Sequence, residues 1–339
     1  MGKKKETPEV VEVVKIDPES LKDIPGIGDV SRKKLEDRGI VSKRMIYTEL
    51  SPTDLMTITG MDRDKADEAF EYIRNALEQA KMISKSLKTA YQLYQEQEKE
   101  PFLTTGCIAF DKLFGNGIKA GYLSEFYGEN GSGKTQMGIA LVLNTLIENP
   151  DSCVAYIDTE GKLKLERLVS ILLARGTIKE KSEAEKYLNR IFILQPNTAE
   201  DQITHIGNIS GMMDAKTPIK LLVIDSIISL FQGEYLERGV MKSKFNLIKP
   251  MMRRLKILAE TYKIPVVCIN TVYQSPTESF GKDPIIPAGG NSVGHPLAYR
   301  VKLREVGSGK KHRATLIKSP EYAENEADFQ ITDKGIEDV

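Results

Sequence analysis

The chain has 339 residues, enough for two domains of which one has a sizeable core. Hydrophobic residues make up 40% and charged residues 28%, and the formal net charge is zero, so binding to nucleic acid would have to come from local basic patches. Three scattered cysteines suggest neither a disulfide framework nor a metal site. Because the sequence contains no membrane-length apolar run, signal peptide or myristoylation pattern, a cytoplasmic, reducing location is expected.

The N-terminal part is predicted to be a disordered tail over 1–16, followed by a helix-hairpin-helix DNA-binding domain over 17–78. Its centre, Ile24–Leu35, and a weaker echo, Ile58–Phe70, each predict a helix, a tight glycine turn and a second helix. A helical hairpin used only for packing or protein contacts is the alternative, and for the echo we favour a structural role. In the first hairpin, backbone N–H groups and basic side chains are expected to contact DNA phosphates without reading sequence, at Gly26, Gly28, Arg32 and Lys33.

A polar linker over 79–100, predicted to be partly helical, leads into an α/β region over 101–339. There, short β-rich apolar runs alternate with helical stretches such as 163–175 and 199–213, which predicts a mainly parallel sheet with helices on both faces. Strands with little helix between them follow Tyr299 and predict an antiparallel extension at one edge. The β-rich runs are Val154–Ile157, Ile191–Leu194, Leu221–Ile224 and Pro265–Ile269.

A phosphate-binding loop is predicted at Gly128–Thr135, which fits the pattern G-x-x-x-x-G-K-[ST] at every fixed position. A short strand, Tyr122–Tyr127, precedes it and an apolar helix, Gln136–Ile147, follows it. In that order backbone N–H groups and the positive end of the helix dipole surround phosphate oxygens. A glycine-rich turn that happens to end in Lys-Thr is the alternative. The predicted nucleotide contacts are Gly128, Glu129, Asn130, Gly131, Ser132, Gly133, Lys134, Thr135 and Gln136.

Acidic residues end two of the predicted strands, at the sheet edge where ligands of open α/β sheets bind. Asp225 has the form of a Walker B residue and is predicted, with the Thr135 hydroxyl, to hold Mg²⁺. Glu160 is assigned to the water that attacks the γ-phosphate, so Glu160 and Lys134 are the predicted catalytic residues. Asp158 is expected to be a structural residue at the strand end.

These motifs together resemble the RecA/RadA family of DNA strand-exchange recombinases, and its archaeal members in particular. The resemblance also includes the helix-hairpin-helix unit and therefore spans nearly the whole chain. Its further segments are Glu166-Arg167, Glu234–Gly239, Gly289–Asn291 with His295, and Ile331–Asp338.

The resemblance implies that Arg167 stacks on the adenine of ATP, which is bound between neighbouring subunits of a helical filament. It implies two loops lining an axial DNA channel, with His295 beside the second loop coupling nucleotide state to DNA. It also implies an assembly peg in the linker, where Leu87 replaces the usual Phe and Ala90 is retained. The residues implied in DNA binding are Arg238, Lys242, Lys244, Phe280, Gly281 and His295.

The chain departs from the family pattern in four places. Thr271 replaces a Gln that senses the γ-phosphate, and Thr is too short to span the same gap without a water. Lys242–Phe245 replaces an Arg-Gln pair, and Pro250 is predicted to interrupt the following helix. Ser275 stands where an Arg usually precedes the Pro. The segment that caps ATP from the neighbour has Lys318 before Pro320 instead of Asp, so a lysine is expected to supply the charge of a salt ion.

The leading hypothesis is a DNA-dependent ATPase, with ATP and Mg²⁺ as cofactors, that forms filaments on single-stranded DNA and pairs it with homologous double-stranded DNA. The alternative is a recombinase paralogue that regulates filament assembly with weak or no strand exchange, which Thr271 and the altered loops favour. A hexameric motor with the same core is a third, weaker possibility. The expected partners are DNA, further copies of the chain in filaments or rings, and recombination mediators, with no membrane.

Overall fold

The computed structural model describes residues 20–79, 89–232, 241–274, 285–307 and 311–339, without the side chains of 79, of 241–246 and of 274. Its contacts divide the chain between Leu87 and Lys88 into two compact units, and each is described by itself. No helix in the part of the chain that the structure describes is long and apolar enough to cross a membrane.

The first unit is helical in its described part. Ser42 begins α2 by accepting a hydrogen bond from the Met45 backbone N–H at 3.2 Å. Ser51 and Asp54 form a reciprocal capping box that begins α3. Leu35, Ile46, Leu55 and Ile73 are buried at its centre. The helices are α1 (Asp29–Glu36), α2 (Lys43–Glu49), α3 (Pro52–Thr59) and α4 (Arg63–Gln79).

The two predicted hairpins of this unit differ. The second has the predicted form, because α3 ends at Thr59, Gly60 turns the chain with a φ of 82°, and α4 begins at Arg63. The first is wrong in its first half: the described residues 20–28 form turns, and a helix begins at Asp29. Pro25 disfavours helical backbone at Ile24, and Gly26 has a φ of 77°, so this segment turns while Ile24 packs into the core.

The second unit alternates strands and helices. Its helices are α5 (Ala90–Gln97), α6 (Ile108–Asp111), α7 (Lys134–Glu148), α8 (Leu165–Ala174), α9 (Glu185–Leu188), α10 (Ala199–Asp214), α11 (Ser229–Gln232), α12 (Met241–Tyr262) and α13 (Gly290–Gly294), with 3₁₀ turns at Lys112–Phe114 and Lys181–Ala184. Its strands are β1 (Phe102–Leu103), β2 (Ile118–Lys119), β3 (Leu123–Tyr127), β4 (Cys153–Asp158), β5 (Ile191–Leu194), β6 (Ile219–Asp225), β7 (Val266–Asn270), β8 (Val272–Gln274), β9 (Ile285–Pro287), β10 (Tyr299–Val306), β11 (Lys311–Lys318), β12 (Asn325–Thr332) and β13 (Gly335–Asp338).

Most of these strands form one sheet, which among the described residues has nine strands in the order β13-β12-β11-β10-β3-β7-β6-β4-β5. The pairs from β10 to β5 are parallel, and those from β10 to β13 are antiparallel. The mainly parallel sheet with an antiparallel extension at one edge, as predicted from the sequence, is therefore confirmed.

Each face of the sheet is covered by an apolar core. One core joins α7 and α8 to the sheet through residues such as Leu141 and Leu172. The other joins α10 and α12 through residues such as Ile206 and Met252. Because both faces are covered, β6 is apolar without alternation from Leu221 to Ile224 and β7 from Val266 to Ile269, as buried parallel strands usually are.

The predicted interruption at Pro250 is wrong, because α12 continues through it from Met241 to Tyr262. Proline removes one backbone donor and costs about 3 kcal/mol in a helix interior. Next to it, however, Ile248, Met251 and Met252 are fully buried in the core. Burial of one such side chain contributes about 1.5–3 kcal/mol, so tertiary packing outweighs the local penalty.

Candidate nucleotide-binding site

A cavity of about 570 Å³ lies at the carboxyl ends of the central strands. The sheet register brings these ends together, since Tyr127 pairs with Asn270 and Asp225 pairs with both Ile269 and Asp158. Residues far apart in the chain therefore line one space. The lining residues are Asn130, Gly131, Gly133, Lys134, Thr135, Gln136, Glu160, Lys162, Asp225, Ser226, Gln232, Ile269, Thr271 and Ile331.

The predicted phosphate loop joins β3 to the N-terminus of α7. Gly133 stands at the N-cap with a φ of 93°, a left-handed conformation that favours glycine. Lys134 reaches back over the loop, and its Nζ donates to the carbonyl oxygens of Gly128 at 2.8 Å and Glu129 at 2.7 Å. Burial lowers the pKa of Lys134 below its ordinary value. The loop therefore presents a cation and a helix N-terminus to one space, which suits a phosphate.

Asp225 is the centre of a buried polar group. Its Oδ2 accepts hydrogen bonds from the Thr135 hydroxyl at 2.7 Å and from the Tyr156 hydroxyl at 3.0 Å. Burial raises the pKa of Asp225, and these two hydrogen bonds act against that rise. Burial also raises the pKa of Tyr156 well above its ordinary value, which keeps the phenol protonated as a donor. The two predicted Mg²⁺ ligands, Thr135 and Asp225, are thus held together.

These residues fit Mg²⁺ by their chemistry. Hydroxyl and carboxylate oxygens are the ligands that Mg²⁺ takes, and it usually keeps phosphates and waters as further ligands. The hydroxyls of Ser132 and Ser226 are buried and make no hydrogen bond among the described residues. Both belong to the segments that form the site. Unmatched polar groups of this kind are what a bound nucleotide and its water shell would satisfy.

Glu160 follows β4 and lines the cavity beside Lys162, whose Nζ forms an ion pair with Glu160 Oε2. Asp158 is buried at the end of the strand. It accepts hydrogen bonds from the backbone N–H groups of Lys162 and Leu163, each at 3.1 Å. Asp158 therefore fixes the loop that carries Glu160, as expected of a strand-end residue.

Arg167 lies on α8 and joins three parts of the site. Its Nε donates to Gln136 Oε1 at 3.0 Å, and its Nη2 donates to the Thr332 carbonyl at 2.5 Å. Its Nη1 lies 3.5 Å from the Asp333 carbonyl oxygen. Arg167, predicted to stack on the adenine, thus contacts both Gln136, a predicted nucleotide contact, and the turn between β12 and β13.

Thr271 lines the cavity at the end of β7, and its neighbour Asn270 leads away into a buried polar network. Asn270 Nδ2 donates to Glu125 Oε1 at 2.7 Å and to the Ala288 carbonyl at 2.8 Å. Glu125 Oε2 accepts from Arg300 Nε at 2.6 Å. Burial raises the pKa of Glu125, and Arg300 and Asn270 oppose that rise.

The network continues to the predicted cap segment, outside the cavity. A Cβ at Gly294 would lie 2.8 Å from Arg300 Nη1, so the guanidinium packs directly on α13. Lys318 Nζ donates to the carbonyl oxygens of Gly294 at 3.2 Å and His295 at 3.4 Å. Burial and the nearby Arg300 lower the pKa of Lys318. Within one chain, Lys318, Pro320 and His295 are exposed and do not line the cavity.

Two residues near the predicted channel loops in the chain line the cavity. Gln232 ends α11, before the predicted first loop, and Thr271 precedes β8, before the predicted second loop. Arg238, Phe280 and Gly281 lie outside the described residues, as does Leu87 of the predicted peg. Lys242 and Lys244 lie on α12, and their side chains are not described. Ala90 is the exposed first residue of α5.

The predicted DNA-contacting residues of the first unit lie around the start of α1. Gly28 is its N-cap, and a Cβ there would have no neighbour within 4 Å. Lys33 is exposed, whereas Arg32 is half-buried and pairs with Asp29. An anion would therefore have to compete with Asp29 for Arg32, while Lys33 is open to solvent.

Sequence reasoning missed several residues of the site. Tyr156 lies inside an apolar strand, so its pattern signals a core residue, and only the register with β6 places it beside Asp225. Glu125 carried a stronger signal, because a carboxylate in a buried strand requires a partner. Lys162 is two residues from Glu160 in a loop, and this spacing alone could have predicted that it lies near the site. Other missed residues are Ser226, Gln232 and Arg300.

The chain is similar to known proteins over most of its length. A family model described as Rad51 matches residues 98–339. The chain is 33% identical over 323 residues to the DNA repair and recombination protein RadA of Cenarchaeum symbiosum (strain A), covering 94% of this chain and 79% of that protein. It is 32% identical over 321 residues to the meiotic recombination protein DMC1 homolog B of Oryza sativa subsp. japonica, covering 93% of this chain and 89% of that protein.

Proposed function

The chain belongs to the Rad51 family of the RecA/RadA recombinases, and from that premise we propose that it is a DNA-dependent ATPase acting in recombination and repair. It forms filaments on single-stranded DNA and catalyses homologous pairing and strand exchange. The observation that carries this proposal is that one cavity is lined by residues of the phosphate loop, by acidic residues at the strand ends and by residues next to the predicted DNA-binding loops. These are Lys134, Thr135, Asp225, Glu160, Gln232 and Thr271.

The chemistry is phosphoryl transfer from ATP to water. Lys134 binds the β/γ-phosphates and Arg167 lies against the adenine. Thr135 and Asp225 are the residues that would hold Mg²⁺, which when bound neutralises charge on the phosphates. Glu160 accepts a hydrogen bond from the attacking water and orients it. Because Tyr156 and Thr135 already fix the Asp225 carboxylate, this residue needs little rearrangement when the nucleotide arrives.

The nucleotide state is coupled to DNA binding through Gln232 and Thr271, the cavity residues that stand before the two predicted DNA-binding loops. Gln232 and Thr271 lie at the cavity, each next to a predicted DNA-binding loop. We propose DNA contacts from those loops and from the helix-hairpin-helix domain over 17–78, with assembly through the linker over 79–100 and catalysis in the core over 101–339. The cytoplasmic location and the mediator partners expected from the sequence stay predictions.

The decisive experiment measures ATP hydrolysis with and without single-stranded DNA, and joint-molecule formation in the same preparation. A recombinase shows DNA-stimulated hydrolysis and joint molecules. Because its DNA contacts go to phosphates, binding weakens steeply with salt and ignores sequence. Good DNA binding without joint molecules, at full occupancy by ATP, would contradict the proposal and favour a paralogue that regulates assembly.

The role of Glu160 is tested by Glu160→Gln. We expect hydrolysis to fall by about 100-fold or more, the usual range for a positioned acid–base group, while ATP-bound filaments still form. Glu200→Gln, on the exposed first turn of α10, is the matched control and should hydrolyse ATP like the wild type. Turnover retained in Glu160→Gln would refute the assignment.

A further inference from the structure

The ammonium group of Lys162 lies in the nucleotide cavity and pairs with the carboxylate assigned to the attacking water. Lys162 Nζ contacts Glu160 Oε2, and both residues line the cavity with Lys134. We propose that Lys162 is a second phosphate-binding lysine, which exchanges Glu160 for the γ-phosphate when ATP binds. This inference rests on the proposed function of the cavity and deepens it.

The backbone around Lys162 is fixed while its side chain is free to turn. The buried Asp158 accepts the N–H groups of Lys162 and Leu163 at 3.1 Å each, which holds the loop in place. The side chain of Lys162 is 63% exposed and that of Glu160 is 26% exposed. The ammonium can therefore move from one partner to another by rotation about its side-chain bonds, without refolding of the loop.

The energies favour exchange in the presence of a triphosphate. An exposed ion pair contributes about 0–1 kcal/mol, so the contact with Glu160 is weak. A γ-phosphate offers more negative charge and several acceptor oxygens, and charge-assisted hydrogen bonds to it are stronger. Once Lys162 has moved, the Glu160 carboxylate has lost a competing donor and can accept the attacking water instead.

The electrostatics of the cavity point the same way. Lys134 and Lys162 line one cavity and repel each other, and Lys162 adds to the effect of burial that lowers the pKa of Lys134. The Glu160 carboxylate offsets part of this positive charge, so that it takes the place that a bound anion would otherwise fill. A diphosphate that occupies Lys134 would leave the Lys162–Glu160 pair intact, whereas a third phosphate would break it.

Lys162→Met tests the exchange by comparing the affinities for ADP and for a non-hydrolysable ATP analogue, both with Mg²⁺, by calorimetry on the full chain. We expect the analogue to bind about 10-fold more weakly and ADP to bind as in the wild type. Lys162→Arg should recover part of the loss. Lys164→Met, exposed in the same loop and outside the cavity lining, is the matched control and should bind both nucleotides normally.

A double-mutant cycle with Glu160→Gln tests the competition itself. Releasing Lys162 from its partner should raise the affinity for the analogue by about 2- to 5-fold, and that gain should shrink when Lys162 is already Met. Equal losses for ADP and the analogue in Lys162→Met, or strictly additive effects in the cycle, would overturn the inference. If the wild type bound neither nucleotide, the proposed function itself would fail.

Discussion

Two groups of side chains in the cavity differ in how they are held. The anchored set, Lys134, Thr135 and Asp225, makes hydrogen bonds of 2.7–2.8 Å within the chain itself. The open set, Glu160, Lys162 and Thr271, lines the same cavity but has an exposed ion pair and a short hydroxyl side chain instead.

The difference follows from what each set must do. A group that binds phosphate in every nucleotide state benefits from being pre-organised, because little freedom is lost on binding. A group that distinguishes ATP from ADP must have two alternative partners of similar energy, and an exposed pair satisfies that condition. Under the proposed function, the anchored set would provide affinity and the open set would provide discrimination. Substitutions in and around the two sets test this division, with effects that decrease from Glu125 to Thr271.

The largest effect is expected on the unfolding free energy, from substitution of Glu125, which supports the end of β7 next to Thr271. Glu125→Gln leaves Arg300 without its ionic partner in a mostly buried site, and breaking such a pair costs about 3–5 kcal/mol of unfolding free energy. The measurement is the urea midpoint of the core transition. Lys256→Gln, in an exposed pair with Glu260, should change the unfolding free energy by less than about 0.5 kcal/mol. Equal midpoints for the two variants would mean that the network does not support the end of β7.

A smaller effect is expected in the anchored set from Lys134→Ala. Loss of its charge-assisted contacts costs about 1.5–3 kcal/mol, which is about 10- to 100-fold in affinity. Because Lys134 contacts the β-phosphate that ADP and ATP share, ADP and the ATP analogue should both bind more weakly in calorimetry. A selective loss for the analogue would place Lys134 in the open set and break the comparison.

Tyr156→Phe removes one of the two donors to Asp225 and leaves the buried ring in place. A net hydrogen bond contributes about 1 kcal/mol, so the Mg²⁺ concentration needed for half-maximal nucleotide binding should rise about 5-fold. In Tyr156→Phe, nucleotide affinity without Mg²⁺ should stay unchanged. In Tyr122→Phe, a control outside the cavity, the thermal midpoint should stay unchanged. An unaltered Mg²⁺ titration would show that Thr135 alone holds the carboxylate.

The smallest effect is expected from Thr271→Gln, which places a longer side chain in the open set. A direct contact to the γ-phosphate replaces one that needs a bridging water, whose immobilisation costs about 0–2 kcal/mol. DNA-stimulated hydrolysis should rise about 3-fold, while hydrolysis without DNA stays constant. Asparagine at the same position is the matched control, because it adds the amide without the length. A rise of DNA-stimulated hydrolysis in both variants would exclude the length of the side chain as the cause.

The sequence by itself determined the fold class and the anchored set. Apolar strands alternating with helices require a covered parallel sheet, and the phosphate-loop pattern dictates the local turn and the helix start around Lys134. The strand-end acids Asp225 and Glu160 followed from the rule that ligands meet at the carboxyl edge of such a sheet. These features depend on short segments, so that local chemistry is sufficient to predict them.

Only the tertiary structure decided which distant residues meet. The register of β4 against β6 brings Tyr156 to Asp225, and the register of β3 against β10 brings Glu125 to Arg300. It also decided against two local rules. Helix α12 continues through Pro250 because its neighbours are buried, and turns replace the expected helix before Gly26. The physical reason is the same in each case: long-range burial contributes several kcal/mol, which exceeds local backbone preferences.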